Sequence, residues 1–469
     1  MLTDFMSQIN DEQVPGSFRD PSGFLFYRDG VLYRQINSSY RSEYFRLNDS
    51  GLYNALVEKG MLVASEETSE ACTTKDGFLV IKPEIIPFIS YPYEWCFSQL
   101  KDAALLTLDI QLEALSKGMC LKDASAYNIQ FNSLGPIFID SLSFDIYEEG
   151  KPWAAYKQFC QHFLAPLALM SYKDVRLNKL FVNFIDGIPL DLASCLLPQK
   201  TKLSPSLGLH IHLHAKQQIK HRNNTLDKNK LRNSMSMHSM LAILDSLKGA
   251  INKLHWSSRS TEWNDYYASN NNYSFNGMQH KEKIVSNFIM ELKPGLVWDL
   301  GANDGRFSRI VREYAQYVVS WDVDYACVEN NYLFGKKQNE VSILPLVVDL
   351  FNPSPSIGWG NSERSSFMDR RGCDVLLALG LVHHLAITNN LPLERIAQLF
   401  SQLGRYLIIE FVPKEDSQVI KLLKNRFDLF PNYSIEAFEA AFSQFFLIEC
   451  IQPVKETMRI VYLLKAKQT

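Results

Sequence analysis

From about residue 256 to the end, the chain alternates between helical and strand patterns, and this alternation constrains its fold more than any other feature. Ile284, Val285 and Phe288 share one face of a helix, and a short apolar run typical of a strand follows at 296–300. Repeated alternation of this kind predicts a parallel sheet covered by helices. Further strands are predicted at 317–321, 343–348, 374–379 and 406–409, with a helix at 393–403 and two final strands at 445–450 and 459–464.

A glycine-rich turn opens the second predicted helix of this region. The strand before it contains Asp299, and the residues from Gly301 to Gly305 lead the chain into the helix. Glycine is needed where the backbone turns sharply and approaches a ligand closely. A side chain at Gly301 would block that approach, so the turn indicates a ligand site.

Acidic residues stand at the ends of three successive predicted strands. Asp299 ends the first, Asp322 follows the second strand 17 residues after Gly305, and Asp349 follows the third. A carboxylate at the position of Asp322 can accept both ribose hydroxyls of an adenine nucleoside. The carboxyl ends of parallel strands meet at one edge of the sheet, which is where open α/β sheets bind ligands.

The turn does not fit a dinucleotide cofactor. The dinucleotide fingerprint would need glycine at two positions that are Asn303 and Arg306 in this chain. A pyrophosphate would also be repelled by Asp299 and Asp304, whereas a cationic sulfonium cofactor would be favoured by their charge. The sign of the charge therefore separates the two classes of cofactor.

The segment 299–305 resembles motif I of class I S-adenosylmethionine (SAM)-dependent methyltransferases, and the resemblance covers roughly the last 200 residues. It implies an α/β fold with a doubly wound seven-strand sheet and an antiparallel last strand, in a domain that spans 256–469. It also implies a set of cofactor-binding residues: Asp299, Gly301, Asn303 and Gly305 around the turn, Asp322 for the ribose, Asp349 near the adenine amine and Gly380 near the transferred methyl group.

The residues 379–385 follow the fourth strand, at the position that faces the transferred methyl group in this family. The family's Asn- or Asp-Pro-Pro-aromatic motif is missing there, which argues against exocyclic amines of bases and glutamine amides as acceptors. Because His383 and His384 are adjacent, we expect their side chains to diverge, with one facing the cleft. A cleft imidazole could accept a proton from the acceptor, and a hydrogen-bonding role in the core is the alternative. Glu410, at the end of the fifth strand, could bind a polar substrate or serve the structure.

Aromatic residues precede the first helix of this domain. Those within 261–267, together with Tyr273, could fold over the cofactor as a lid, as such segments often do in the family. An aromatic lid would exclude water from the site. Plain helix packing is the alternative for each of these residues.

The first 200 residues carry a second motif. Asp123 and Asn128 lie five residues apart, and Asp140 follows twelve residues later. This spacing resembles the catalytic loop and the metal-binding aspartate of kinase-like phosphotransferases, especially small-molecule kinases. The resemblance implies that Asp123 orients an acceptor hydroxyl while Asn128 and Asp140 hold magnesium with ATP. An Asp-Gly hairpin near residue 30 and a buried helix at 102–115 complete a predicted α+β domain.

This N-terminal domain departs from the kinase pattern at several positions. Lys122 replaces the histidine before Asp123, and no glycine-rich phosphate loop stands near the N-terminus. Arg34 occupies the place of the phosphate-pairing lysine, for which arginine is not an equivalent. We therefore expect a degenerate kinase-like domain in 1–200 that recognises or scaffolds substrate. Active phosphotransfer and an unrelated α+β domain are the alternatives.

Residues 201–255 change character, because eight lysines or arginines lie between positions 200 and 232 against one acidic residue, Asp227. This composition predicts a solvated, basic, helical linker, with a nucleic-acid contact as the alternative. The overall net charge of −3 disfavours nucleic acid as a partner. His210, His212 and His214 alternate, but no cysteine or acidic ligand lies near them, so no metal site is predicted.

The bulk composition fits a cytoplasmic protein. Eight scattered cysteines without a CxxC pair favour a reducing compartment. The first residues lack the basic end and apolar run of a secretory signal. No stretch approaches the roughly 18 apolar residues that a membrane helix needs. The oligomeric state is left open.

Together these patterns predict an enzyme that transfers a methyl group from SAM to an oxygen or nitrogen nucleophile of a small molecule or glycan. The N-terminal domain would recognise or scaffold the substrate. Two alternatives are kept: a bifunctional kinase–methyltransferase acting on a glycan or metabolite, and a non-catalytic SAM-binding module. The bifunctional alternative resembles bacterial enzymes that cap surface polysaccharides by both reactions.

Overall fold

The computed structural model describes residues 11–132, 135–217, 235–257, 273–370, 372–424 and 433–467. The chain divides into two compact units. The first contains Met1–Trp256 together with Ser356–Ser365, and the second contains Ser257–Pro355 and Ser366–Thr469. Among the described residues, no helix combines the length and the apolar character that crossing a bilayer requires.

An antiparallel sheet begins the first unit. Its strands, in chain order, are β1 (Glu12–Gln13), β2 (Gly23–Arg28), β3 (Val31–Asn37), β4 (Ser65–Glu67) and β5 (Gly77–Pro83). They are hydrogen-bonded in the order β1-β2-β3-β5-β4. Asp29 and Gly30 both have positive φ, as a two-residue turn that follows the twist of the strands requires. The predicted Asp-Gly hairpin is therefore confirmed.

Two short antiparallel strand pairs follow the sheet in the first unit. Strand β6 (Met119–Leu121) pairs with β9 (Phe144–Ile146), and β7 (Ile129–Asn132) pairs with β8 (Gly135–Phe138). The Asp123–Asn128 loop lies between β6 and β7, and Asp140 comes directly after β8. The pairing of β7 with β8 therefore brings the two halves of the second sequence motif together.

Helices make up most of the remaining first unit, which is an α+β arrangement. The longest, Phe97–Ser116, buries a stripe of Leu, Ile and Ala side chains along its length. The principal helical segments are Arg41–Asp49, Leu52–Glu58, Phe97–Ser116, Tyr156–Phe159 continuing through Cys160–Leu164 into Ala165–Tyr172, Leu190–Leu196 and Met237–Lys253.

The described parts of 201–255 belong to the first unit and are largely helical. The helix Met237–Lys253 begins at Ser236, whose hydroxyl accepts the backbone N–H of Ser239 at 3.2 Å. Its buried face carries Met240, Leu244, Leu247 and Ile251 at helical spacing, and it packs on the helix Phe97–Ser116. Most of the basic residues of the predicted linker fall in 218–234, which lies outside the described residues.

Within the described residues, seven strands form the sheet of the second unit. In chain order they are β10 (Leu296–Leu300), β11 (Tyr317–Asp322), β12 (Ile343–Val347), β13 (Cys373–Ala378), β14 (Gly404–Phe411), β15 (Phe446–Pro453) and β16 (Ile460–Ala466). Their spatial order is β12-β11-β10-β13-β14-β16-β15. Strands β10 to β14 pair in parallel, and β16 runs antiparallel to both of its neighbours. The predicted mainly parallel sheet with an antiparallel last strand is confirmed.

The helices of the second unit alternate with its parallel strands. They are Phe275–Leu292, Arg306–Val311, Tyr325–Gln338, Leu393–Leu403, Ser417–Leu423 and Ile435–Phe442. The strand order reverses between β10 and β13, because β11 and β12 lie on one side of β10 while β13 and β14 lie on the other. In an open α/β sheet such a reversal leaves a crevice at the carboxyl ends of the strands. The candidate site is therefore expected at the ends of β10, β11 and β13.

Candidate functional site

The turn after β10 has a backbone that glycine suits. Gly301, Asn303 and Gly305 all have positive φ, at +72°, +53° and +82°. A Cβ at Gly305 would stand 2.7 Å from the side-chain Cγ of Asn331, and one at Gly301 would stand 3.3 Å from Cδ1 of Leu381. The turn is thus held between the helix Tyr325–Gln338, which follows β11, and the loop after β13, and a side chain at either glycine would disturb it.

The Asp322 carboxylate is fixed by the same turn. Its Oδ2 accepts the backbone N–H of Asn303 at 2.7 Å, and its Oδ1 accepts that of Asp324 at 2.8 Å. Burial raises the pKa of Asp322 to about 6, although the two backbone hydrogen bonds act in the opposite direction. Asn303 therefore contributes through its backbone, by joining the turn after β10 to the acid that ends β11.

Asp299 is buried, and it is close enough to Asp322 for the charge of that carboxylate to act on it. Its Oδ2 accepts the hydroxyl of Ser308 at 2.6 Å, and Ser308 also contacts Ser320. Burial raises the pKa of Asp299 to about 6, and the charge of Asp322 raises it further. In the part of the chain that the structure describes, both carboxylates are hydrogen-bonded by neutral hydroxyl and backbone groups. The site therefore holds buried negative charge that a cation or a hydroxyl donor could stabilise.

Two further predicted cofactor residues lie at the same edge of the sheet. Asp349 follows β12, is exposed, and accepts the backbone N–H of Phe351 at 3.0 Å. Gly380 follows β13 with a φ of +65°, and a Cβ there would stand 3.6 Å from Oε2 of Glu410. Gly380 thus lies between the glycine turn and the predicted reacting end.

The prediction that His383 and His384 diverge is wrong. Their ring centroids lie 4.1 Å apart with the planes tilted by 42°. His383 has helical backbone angles and begins a helical turn that continues through His384–Thr388. Neighbouring side chains on a helix are separated by about 100° rather than by the half-turn of a strand, so the two rings can meet.

Both imidazoles are held in the neutral form. Burial lowers the pKa of His383 well below its ordinary value, and the positive charges of Arg459 and Lys281 act in the same direction. Burial, followed by the charge of Arg459, lowers the pKa of His384 to about 4. Nδ1 of His383 is buried and has no hydrogen-bond partner among the described residues. This nitrogen is therefore a polar atom that a bound group could satisfy.

Glu410 is fully buried and acts as a counter-ion. Its Oε2 accepts Nζ of Lys281 at 2.7 Å, and its Oε1 accepts the hydroxyl of Tyr273. The guanidinium of Arg459 lies 3.9 Å from Oε1. Burial would raise the pKa of Glu410, but the charges of Lys281 and Arg459 outweigh burial and lower it. The carboxylate therefore stays ionised and is already paired.

A second acid completes this network, which we call the buried ion cluster: Tyr273, Lys281, Glu410, Asp416 and Arg459. Asp416 accepts Nε and Nη2 of Arg459 at 2.7 and 3.1 Å. Arg459 also donates to the Tyr273 hydroxyl at 3.0 Å, and its guanidinium stacks over that ring at 4.5 Å. Two-point pairing of this kind fixes the orientation of an arginine.

The sequence analysis missed Lys281, Asp416 and Arg459 as members of the site. One signal was available, because Lys281 lies on the apolar stripe that includes Met278 and Ile284. A lysine at a buried helical position needs a partner of opposite charge. The aromatic segment 261–267, predicted as a lid, lies outside the described residues, whereas Tyr273 belongs to the buried ion cluster.

In the first unit, the predicted Asp123, Asn128 and Asp140 lie along one chain of hydrogen bonds. Asn128 donates to the hydroxyl of Ser143 at 3.1 Å, and Ser143 donates to Asp140 at 2.5 Å. Asp123 accepts the backbone N–H of Ser125 at 2.9 Å. Burial, and then the charge of Asp140, raises the pKa of Asp123. The three residues therefore share one polar network.

Two of the three alternating histidines of the first unit, His210 and His212, are hydrogen-bonded to hydroxyl groups. His210 contacts the hydroxyls of Tyr156 at 2.7 Å and Ser246 at 3.0 Å. His212 contacts those of Ser194 and Thr201. Among the described residues, no group of three or more His, Cys, Asp or Glu side chains is arranged to hold a metal ion.

Comparison with known proteins identifies a close relative along nearly the whole chain. Nodulation protein NoeA of Rhizobium meliloti (strain 1021) is 36% identical over 440 residues, which cover 92% of this chain and 91% of NoeA. This chain belongs to the NoeA family. No general protein-family model matches it.

Solved structures similar to this NoeA-family chain cover less than half of it. N-methyltransferase NodS from Bradyrhizobium japonicum WM9, in complex with S-adenosyl-L-homocysteine, covers 44% of this chain and 93% of NodS, with 6% identity and a TM-score of 0.32. Magnesium protoporphyrin IX methyltransferase (ChlM) from Synechocystis PCC 6803, with the same product bound, covers 44% of this chain and 98% of ChlM, with 17% identity and a TM-score of 0.30. The strand order and register, rather than these scores, define the fold of the second unit.

Proposed function

We propose that the second unit binds SAM and transfers its methyl group to an oxygen or nitrogen nucleophile of a small molecule or glycan. The observation that carries the proposal is the Asp322 carboxylate, which lies half-buried at the carboxyl end of β11, beside the strand-order reversal, and accepts the backbone N–H groups of Asn303 and Asp324. A carboxylate fixed in this way is prepared to accept the hydroxyls of a ribose.

The residues of the turn fit a sulfonium nucleoside. Asp299 and Asp322 bury negative charge with neutral hydrogen-bond donors, so a bound positive charge would be stabilised and an added phosphate would be repelled. The turn from Gly301 to Gly305 would lie along the methionine part and Asp349 near the adenine. When bound, SAM supplies an activated methyl group; the residues of this chain bind and orient the reactants.

The residues around His383 and His384 are better suited to aligning the nucleophile with the methyl group than to acting as a general base. With pKa values lowered by burial, His383 and His384 are neutral and accept a proton weakly. Nδ1 of His383, which has no hydrogen-bond partner in the described part of the chain, can accept a hydrogen bond from a hydroxyl or amine of the methyl acceptor. Holding the nucleophile in line with the methyl group can supply most of the rate. Glu410 would act as a positioning residue, because it holds Lys281 and Tyr273 beside the site.

The first unit would recognise or scaffold the acceptor. The name of the NoeA relative places that protein in nodulation, and we propose that this chain modifies an acceptor used in the same process. The 36% identity spans both units, which supports a shared role for the first unit in the family.

Calorimetric titration of the full chain with S-adenosyl-L-homocysteine tests this proposal. Asp322→Asn removes the charge, and we expect a 10- to 100-fold loss of affinity because a charge-assisted hydrogen bond contributes about 1.5–3 kcal/mol. Asp374→Asn is a matched control, since Asp374 also accepts two backbone N–H groups, from Gly295 and Leu296, but at the amino ends of the strands. The control should bind as the wild type does.

Two results would count against the proposal. Absence of any binding by the wild type would refute a SAM site, and equal losses in both variants would show that the carboxylate acts only through the fold. If the product binds but no methyl transfer occurs across a broad panel of acceptors, the chain is a non-catalytic SAM-binding module instead.

A further inference from the structure

Arg34 pairs directly with Asp140 in the first unit. Arg34 lies on β3, and its Nη1 donates to Oδ1 of Asp140, although the two residues are 106 positions apart. Their side chains are 10% and 18% exposed. The pair is therefore mostly removed from solvent, and the guanidinium supplies the positive charge that this carboxylate requires.

The other oxygen of Asp140 is also engaged. Oδ2 accepts the hydroxyl of Ser143 at 2.5 Å, while Oδ1 additionally accepts the backbone N–H of Leu142 at 3.3 Å. Three donors thus occupy three of the roughly four lone-pair positions of this carboxylate. A magnesium ion at the remaining position would lie beside a fixed guanidinium of the same sign of charge. The surroundings of Asp140 therefore disfavour a divalent cation.

Asn128 presents the wrong end of its amide for a metal. Its Nδ2 donates to Ser143 at 3.1 Å, and its side chain also donates to the carboxylate of Asp123. A divalent cation is coordinated by oxygen atoms, whereas it is the amide nitrogen of Asn128 that faces Asp123 and Ser143. The residues that the kinase-like resemblance assigns to magnesium thus do not fit that ion as arranged.

We infer that the Arg34 guanidinium takes the place of a divalent cation at Asp140, and that the first unit binds no metal and no metal nucleotide there. In the network Arg34–Asp140–Ser143–Asn128, the guanidinium is paired with the carboxylate, and the carboxylate also accepts the hydroxyl that receives the amide nitrogen. This inference is independent of the proposed function of the second unit. It favours a methyltransferase whose first unit transfers no phosphate over a bifunctional kinase–methyltransferase.

Titration of the full chain with Mn²⁺, followed by the electron paramagnetic resonance signal of free Mn²⁺, tests the inference. Wild type should leave the signal of free Mn²⁺ unchanged up to about 1 mM, with and without ATP. Arg34→Met removes the guanidinium and should create one Mn²⁺ site, which the double variant with Asp140→Asn should lose. Arg28→Met is the matched control, because Arg28 is also buried on the same sheet and pairs with Asp11 and Glu70. It should create no Mn²⁺ site.

The wild-type measurement decides the inference even if Arg34→Met fails to fold. Stoichiometric Mn²⁺ binding by the wild type that is abolished by Asp140→Asn would overturn it. So would unchanged free Mn²⁺ in a folded Arg34→Met variant, because the guanidinium would then not be what excludes the ion. Far-ultraviolet circular dichroism of each variant reports whether it is folded.

Discussion

Two groups of buried acids in this chain are stabilised by opposite means. In the second unit, neutral donors hold Asp299 and Asp322, and burial raises the pKa of each to about 6. In the first unit, burial would raise the pKa of Asp140, but the charge of Arg34 and the hydrogen bond from Ser143 outweigh burial and lower it. The acids of the second unit are hydrogen-bonded by neutral groups, whereas Asp140 in the first unit has a guanidinium in direct contact.

This difference in hydrogen-bond and ion-pair partners indicates which of the two acidic motifs can bind a further ligand. An acid held by neutral groups costs stability until a cation or hydroxyl donor arrives, whereas an acid paired with arginine already has its partner. One motif was predicted from acids at the ends of successive strands, and the other from the spacing of Asp123, Asn128 and Asp140 along the sequence. Their partners, rather than their spacing, distinguish a binding site from a network whose carboxylate is already paired with a cation.

The largest expected contrast is in stability. Arg34→Met leaves Asp140 without its cation, and we expect a loss of about 3–5 kcal/mol of unfolding free energy. Asp322→Asn removes a charge whose ionisation burial makes unfavourable, so we expect it to leave the free energy of unfolding at pH 7 unchanged or to raise it. Urea unfolding of the full chain measures both. Similar losses in the two variants would remove the distinction between the sites.

A second contrast distinguishes two reasons why alanine would be unfavourable at Gly305: a steric clash of its Cβ and the strain of a positive φ. Gly305→Ala places a Cβ against Asn331, whereas at Gly51, which has a similar φ of +71°, a Cβ would meet nothing within 4 Å. We expect Gly51→Ala to cost about 1–2 kcal/mol from backbone strain alone, and Gly305→Ala to cost more. Only Gly305→Ala should also weaken binding of S-adenosyl-L-homocysteine, by more than about tenfold. Unaltered binding would place the turn outside the cofactor site.

The raised pKa values give the second unit a distinctive pH dependence. An acid whose folded pKa is about 6, above the ordinary 3.8, prefers to be protonated in the fold, so the ligand-free chain should lose stability as pH rises from about 4 to about 6. Binding needs the carboxylates ionised, so affinity for SAM should fall by about tenfold between pH 7.5 and pH 5.

Calorimetry across this pH range measures the affinity, and comparison of wild type with Asp322→Asn isolates the contribution of that carboxyl. The pH dependence of unfolding should be shallower in the variant. A pH-independent affinity would mean that neither carboxylate contacts the cofactor.

The smallest expected effect is at the exposed edge of the site. Asp349→Ala removes one carboxylate that is already in contact with solvent, and we expect a loss of affinity for S-adenosyl-L-homocysteine of about fivefold, equivalent to about 1 kcal/mol. The urea midpoint should stay unchanged, since the side chain is exposed. A loss as large as that of Asp322→Asn would make Asp349 an equal partner in binding.

The fold of the second unit was readable from sequence because its parallel strands are buried on both faces and appear as continuous apolar runs. The helix predicted at 393–403 coincides with Leu393–Leu403, and the strand ends differ by a few residues. The glycine turn and the acid after β11 were also predictable, because local backbone needs and strand ends fix their positions. These features depend on short-range patterns.

The partners of the charged groups could not be predicted, because they are distant in the sequence. Lys281 and Glu410 are 129 residues apart, and Arg34 and Asp140 are 106 residues apart. The geometry of His383 and His384 was mispredicted for a different reason, since their segment is helical where divergence was assumed. Side-chain pairing between segments that are distant in the sequence therefore decides the chemistry that spacing alone leaves open.

Calorimetric titration of the wild-type full chain, first with SAM and then with ATP plus magnesium, tests the contrast between the two units most directly. The account predicts saturable binding of one SAM per chain and no heat of binding from ATP plus magnesium. Binding of ATP plus magnesium that Asp140→Asn abolishes, together with no heat from SAM, would contradict it.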